Sequence, residues 1–239
     1  MSIFGGPEIN QDNLFLCLDA GSSKSYPGSG TNVVDLSYNG NDGTLTGTVT
    51  SGVMDAPDFN SGDIKSFYFE SGQNAINVAN TSFGMGGQAP NCSLCAWINV
   101  NQNTVITNNR VGFRDDSDFD FYALITTLSN TSTLECRLRT NAAVPTLTAD
   151  YNNYINKWTS VVITAGSDGS GFRMYINGVL VSSAGFSGSF GAASNNFLIG
   201  SNVIFSPICY IASVMFYKRV LSEAEVKRHY DAYKGRFRI

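Results

Sequence analysis

Residues 172–181 constrain the fold of this chain more than any other stretch. Phe-Arg-Met-Tyr-Ile and Val-Leu-Val flank Asn177-Gly178. Asn and Gly both tolerate the positive φ of a type I′ turn, so the segment predicts a tight antiparallel hairpin. Short runs of the same kind recur along the chain. Leu14-Phe-Leu-Cys-Leu18 is a continuous apolar run, as expected of a strand buried on both faces. Residues 65–70 alternate with Phe67 and Phe69 on one side, and 75–78 do the same. Residues 92–100 put Leu94, Ala96, Ile98 and Val100 on one face and Trp97 on the other. Residues 121–128 and 134–138 read as a hairpin across Ser129-Asn-Thr-Ser132, and 158–164, 197–199 and 211–217 supply further strands. Repeated short strands with turn chemistry between them predict two packed antiparallel sheets, a jelly-roll-like sandwich. Composition agrees: 14% of residues are charged and 24 of 239 are Gly, the balance of a strand-and-turn protein rather than a disordered one.

One helix interrupts this pattern. Ser222-Glu-Ala-Glu225 is a capping box, Leu221 and Val226 are spaced as a hydrophobic staple, and Val226, Tyr230 and Tyr233 share a face. Gly235 is expected to close the helix. No repeat or linker divides the chain. Residues 1–13 read as an arm and 14–239 as one sandwich domain with a short C-terminal helix.

The net charge of −4 argues against nucleic-acid binding, which needs Lys and Arg on phosphates. The one basic excess, Lys227, Arg228, Lys234, Arg236 and Arg238, reads as a solvated helix end or as a docking patch for an acidic partner. No stretch approaches the ~20 apolar residues of a membrane span, and residues 1–13 lack the basic and apolar regions of a secretory signal. The five cysteines, Cys17, Cys92, Cys95, Cys136 and Cys209, fall mostly in apolar runs and read as free buried thiols. Cys92-Ser-Leu-Cys95 has no second pair to complete a zinc site.

Together these segments resemble a known family. Trp158-Thr-Ser-Val-Val-Ile-Thr, Phe172-Arg-Met-Tyr-Ile-Asn-Gly178 and Phe197-Leu-Ile-Gly200 follow the series of laminin-G-like domains in the concanavalin A-like lectin/glucanase superfamily. Phe67-Tyr-Phe-Glu with Ile76-Asn-Val78, Cys95-Ala-Trp-Ile98, and the closing Ile211 to Val226 strand and helix resemble the same pattern. The flanks, Leu18-Asp-Ala-Gly21 through Asn39-Gly-Asn-Asp-Gly-Thr-Leu45 and Tyr233-Lys-Gly-Arg-Phe237, are similar to domains of tailed phages, especially those of marine cyanobacteria. That resemblance implies a virion structural protein made in the host cytoplasm. It would decorate a capsid, tail or fibre, with other virion proteins as partners. A host-surface glycan-binding adhesin domain is the alternative. Self-association through a sheet edge, as a homo-oligomer, stays open.

Chemistry has few candidates. The five glutamates, Glu8, Glu70, Glu135, Glu223 and Glu225, form no pair two residues apart on a strand, so the two carboxylates of a glycosidase are missing. With one histidine, His229, triad arrangements are also disfavoured, and the expectation is a non-enzyme. Asp116, Asp118 and Asp120 fall on one side of an extended segment and are candidate ligands for calcium, or a solvated acidic loop. Sugar sites pair exposed aromatic rings with amides. Tyr26, Tyr38, Tyr151, Asn152, Asn153 and Tyr154 are the ligand-binding candidates, unless their rings anchor long loops.

Overall fold

The computed structural model describes residues 9–46, 53–55, 64–69, 75–79, 85, 87–100, 109–113, 123–127, 133–190, 197–200 and 209–239. Two antiparallel sheets face each other. The first runs, in spatial order, β14 (Val179–Ala184), β13 (Gly171–Ile176), β12 (Thr159–Gly166), β7 (Asn91–Val100), β16 (Cys209–Tyr217), β5 (Lys65–Phe69) and β4 (Val53–Asp55). β1 (Leu14–Asp19) also pairs with β16, taking its later residues while β5 takes the earlier ones. The second sheet runs β11 (Thr146–Asp150), β10 (Thr133–Leu138), β9 (Ala123–Thr127), β8 (Asn109–Phe113), β15 (Phe197–Gly200), β6 (Ala75–Val78), β3 (Gly43–Thr46) and β2 (Asn32–Val33). The sandwich expected from the strand pattern is the observed architecture.

Alternation decides what each face buries. Leu94, Ala96, Ile98 and Val100 of β7 join Phe172, Met174, Ile176, Phe197 and Phe216 in the core between the sheets. Cys95 and Trp97 point the other way, into a second apolar cluster on the outer face of the first sheet. That cluster is covered by α1 (Glu223–Lys234) and the 3-10 turn Gly235–Phe237. Phe237 lies parallel to Trp97 at 4.1 Å and against Trp158 at 5.0 Å. The outer face is therefore roofed by the chain's own C-terminus, which removes the two tryptophans from water.

The helix start follows the sequence closely. Ser222 Oγ accepts the Glu225 amide, the Glu225 carboxylate accepts the Ser222 amide, and Leu221 and Val226 are both buried. The stop differs. Gly235 has φ −60° and continues into the 3-10 turn, and Arg238, at φ 58°, is the residue that turns left-handed. Burying Phe237 over the tryptophans draws the chain one turn further than the glycine signal predicts. At the hairpin, Asn177 and Gly178 take φ of 50° and 78°. A Cβ on Gly178 would sit 3.2 Å from Tyr230 Cβ and 3.4 Å from Lys227 Cα. The turn glycine thus also lets the hairpin touch the helix.

Cys17, Cys92, Cys95 and Cys136 are free and buried. Burial raises all four thiols, Cys92 to about 12, so none is a thiolate near neutral pH.

Candidate functional site

The connection from β1 to β3 forms the most organised polar region among the described residues, and one buried carboxylate arranges it. Asp35 Oδ1 accepts the amides of Cys17 and Ser37, both at 2.9 Å. Its Oδ2 accepts the Ser37 hydroxyl at 2.7 Å and the Asn41 amide at 3.1 Å. Asp42 in turn accepts the Asp35 amide at 2.8 Å. The side-chain amides of Asn39 and Asn41 donate through Nδ2 to the carbonyls of Leu14 (3.0 Å) and Phe15 (2.7 Å), and the Leu36 backbone amide donates to Cys17 O. The loop consequently lies along the free edge of β1 and fills its backbone bonds, as an added strand would.

Tyr38 sits at the apex of this loop with φ 65° and 90% of its surface exposed. It overhangs a groove of about 520 Å³ that also takes in Gln11, Asp19, Leu36, Ser37 and Tyr233. At one end Arg236 donates through one nitrogen to both oxygens of Asp19, at 2.7 and 2.9 Å, and through the other to Lys65 O. Gly21 makes room for that guanidinium, since a Cβ there would fall 2.2 Å from Arg236 Nη2. A groove of this size, with apolar walls and a few polar groups, suits a small polar ligand. The free ring at its rim could stack on a sugar face.

The other candidate residues are not gathered here. Tyr26 is 2% exposed, meets Phe67 edge-on at 5.6 Å and donates its hydroxyl to Gly30 O. Tyr151 is equally buried and Tyr154 half-buried, with their rings 5.4 Å apart. Both sets of rings anchor loops from within and offer no ring to a ligand. Asn152 and Asn153 are exposed on the 3-10 turn Asn152–Tyr154, but far from Tyr38. That turn lies by Val100, where β7 ends, through the Asn156 amide. The Tyr38 loop lies by Leu14, which pairs with Tyr217, which pairs with Ser93 near the other end of β7. The seven residue steps from Ser93 to Val100 span about 23 Å. Asp116, Asp118 and Asp120 lie outside the described residues, as do Glu8 and Glu70.

Residues that sequence reasoning passed over hold the site together. Asp35, Asn39, Asn41 and Asp42 were legible only as turn formers, because the β1 partners of the first three lie 18 to 26 positions away and Asp42 acts through the Asp35 amide. Two of the glutamates with described side chains are engaged: Glu135 pairs with Arg137. Glu225 accepts both terminal nitrogens of Arg219 as well as the helix cap, which holds its carboxyl at about 2. Among the described residues no three His, Cys, Asp or Glu side chains are grouped to hold a metal ion. Three members of the C-terminal basic run are also paired, Lys227 and Lys234 with Asp231 and Arg236 with Asp19.

A laminin-G model of the concanavalin A-like lectin/glucanases superfamily matches residues 70–227. The chain belongs to that superfamily. No curated protein matches it. Among solved structures, the binding domain of Paraclostridial Mosquitocidal Protein 1 is similar at 22% identity and TM-score 0.67, covering 93% of this chain and 53% of that one. The receptor-binding domain of botulinum neurotoxin D is similar at 20% identity and TM-score 0.64, over 92% and 53%. The mosaic serotype C/D receptor-binding domain gives 20% and 0.67, over 92% and 51%. The chain therefore spans about half the length of these structures, and at such identities the likeness is one of fold.

Proposed function

We propose that this chain is a non-catalytic binding module of a tailed-phage virion whose Tyr38 groove takes a host-surface glycan. The observation that carries the glycan reading is Tyr38 itself. An aromatic ring held outward in a left-handed backbone, on a loop tied to β1 at several points, is costly to keep for packing and useful for stacking on a sugar. Fold-mates that serve toxins as receptor-binding domains support a binding role. The virion setting is supported by the phage-like flanks, residues 18–45 and 233–237. A glycan array read with wild type and Tyr38→Ala tests the site. A hit weakened at least about tenfold by the substitution, with unchanged melting, is expected. A hit that survives it, or no hit, removes the reading. Mass spectrometry of purified particles tests the virion setting separately.

Docking to other virion proteins through the N-terminal residues is the second reading. Asn10 donates to Glu225, Arg219 binds both the carbonyl and the carboxylate of Asp12, and the Lys218 amide donates to Asn13 O. Residues 9–13 are thus part of the folded unit. Deleting residues 1–8 rather than 1–13 is the clean experiment, and loss of particle incorporation with the fold intact is its expected result.

A further inference from the structure

The groove beside Tyr38 takes part of its lining from the N-terminal residues. Ile9 and Gln11 line it with Tyr38 and with the buried Cys17 and Tyr233. The residues that alternate with them are held elsewhere. Asn10 donates through Nδ2 to Glu225 Oε1 at 2.8 Å, and its Oδ1 accepts the Asp12 amide at 2.8 Å. Arg219 Nε donates to Asp12 O at 2.9 Å and lies 3.2 Å from the Asp12 carboxylate. Arg219 is itself fixed by both oxygens of Glu225, at 2.8 and 3.0 Å, and Glu225 by the cap at Ser222. A guanidinium fork on a carboxylate is rigid, so the pair carries the position of the helix start to residues 10 and 12. Packing holds this segment less firmly. Ile9 is half-buried, and it and Asn10 border a cavity of about 20 Å³ shared with Leu221 and His229. Dispersion is forfeited across such a gap, which leaves the hydrogen bonds to set where the segment sits.

We propose that the Arg219–Glu225 pair is the positioning element of the Tyr38 groove, holding residues 9–12 as one wall so that the Gln11 carboxamide meets an uncharged sugar stacked on Tyr38. The inference rests on the glycan reading of that groove, and adds to it a second contact residue and a clamp remote from the ligand. Gln11 is exposed, and its carboxamide makes one long bond of 3.5 Å, to Ile9 O, among the described residues. A planar amide with donor and acceptor sites to spare can bond neighbouring hydroxyls of a sugar whose face lies on the ring. Among the described residues no Lys or Arg lines the groove, and the one charged group there is the Asp19 carboxylate, already held by Arg236. An acidic sugar would meet a carboxylate and no spare cation, so an uncharged one is the class that fits. Arg219 and Glu225 act through Asn10 and Asp12 and touch no ligand themselves.

Alkylation of Cys17, mapped by peptide mass spectrometry, reads the wall without any ligand. Cys17 lines the groove, while Cys92 and Cys136 lie in the core between the sheets and serve as internal references. In the double variant Asn10→Ala/Asp12→Ala, Cys17 should react at least about tenfold faster than in wild type, with Cys92 and Cys136 unchanged. Lys227→Ala, which removes an ion pair elsewhere on α1, should leave all three rates alone. On a glycan array the hits should be uncharged sugars, weakened at least about tenfold both by Gln11→Ala and by the double variant. Cys17 labelling that does not rise in the double variant, or that rises in step with Cys92 and Cys136, would overturn the proposal. So would hits that are acidic sugars, or hits indifferent to Gln11→Ala. An array without any hit removes the glycan reading alone, because labelling still decides whether the ion pair holds the wall.

Discussion

β1 and β14 are both outer strands of the same sheet, and they are finished in opposite ways. Along β1 the loop from 34 to 42 returns and fills the backbone positions of Leu14, Phe15 and Cys17. Along β14 no described residue returns to fill the backbone positions, although β11 passes close by, and Val179, Leu180 and Val181 are exposed. An edge can be closed from within by a chain that folds back or from outside by a partner, and the difference marks where this molecule keeps its contacts to itself. The closed edge also carries the groove beside Tyr38.

The contrast is breakable by substitution. Asp35→Ala removes the acceptor of four hydrogen bonds at a buried position and should cost about 3–5 kcal/mol, since charge-assisted bonds are worth about 1.5–3 each and do not add fully. In thermal unfolding that is a drop on the order of 10 °C. A loss below about 1 kcal/mol would mean that the loop does not close the edge.

Acid should act through α1, which carries His229 and Glu225. His229 of α1 is buried with Nε2 at 3.2 Å from Met215 Sδ, stacks on Tyr233, and has no partner at Nδ1. Burial lowers it to about 4 from an ordinary 6.5. The unfolded chain therefore takes up the proton first. Stability is complete above about pH 6.5 and falls as the pH drops toward 4, by roughly 3 kcal/mol at about 1.4 kcal/mol per pH unit. Glu225 adds to the same slope at lower pH: its carboxyl is held down to about 2, so its contribution is present above its ordinary 4.5 and is lost as pH falls toward 2. His229→Gln should flatten the melting-temperature profile between pH 6.5 and 4.

Gly178→Ala should cost about 2 kcal/mol, combining a positive φ with the close approach of α1, and melting curves would read it. The smallest effect on stability belongs to Val181→Lys, within about 0.5 kcal/mol of wild type. A larger loss would show that β14 is packed rather than open.

Local rules carried the fold a long way. The Asn177-Gly178 hairpin, the two faces of β7, the β9–β10 pairing and the capping box at Ser222 are all written in neighbours a few positions apart. Such signals act before the chain has any tertiary partner, so the sequence reports them directly. Very short strands such as β2, β3 and β4 escaped, being two to four residues long with no room for a period.

By itself, then, the sequence determined two antiparallel sheets, the apolar alternation that stacks them, and one capped helix, because each depends on spacing along the chain. Only the tertiary structure decided which tyrosines face water and which edge is closed. Tyr26, Tyr38, Tyr151 and Tyr154 stand in similar Asn-, Ser- and Gly-rich stretches, and their fates diverge because burial is set by what arrives from far along the chain. Phe67 meets Tyr26, the core takes Tyr151, and Asp35, Asn39 and Asn41 fasten their loop to β1 and leave Tyr38 outside.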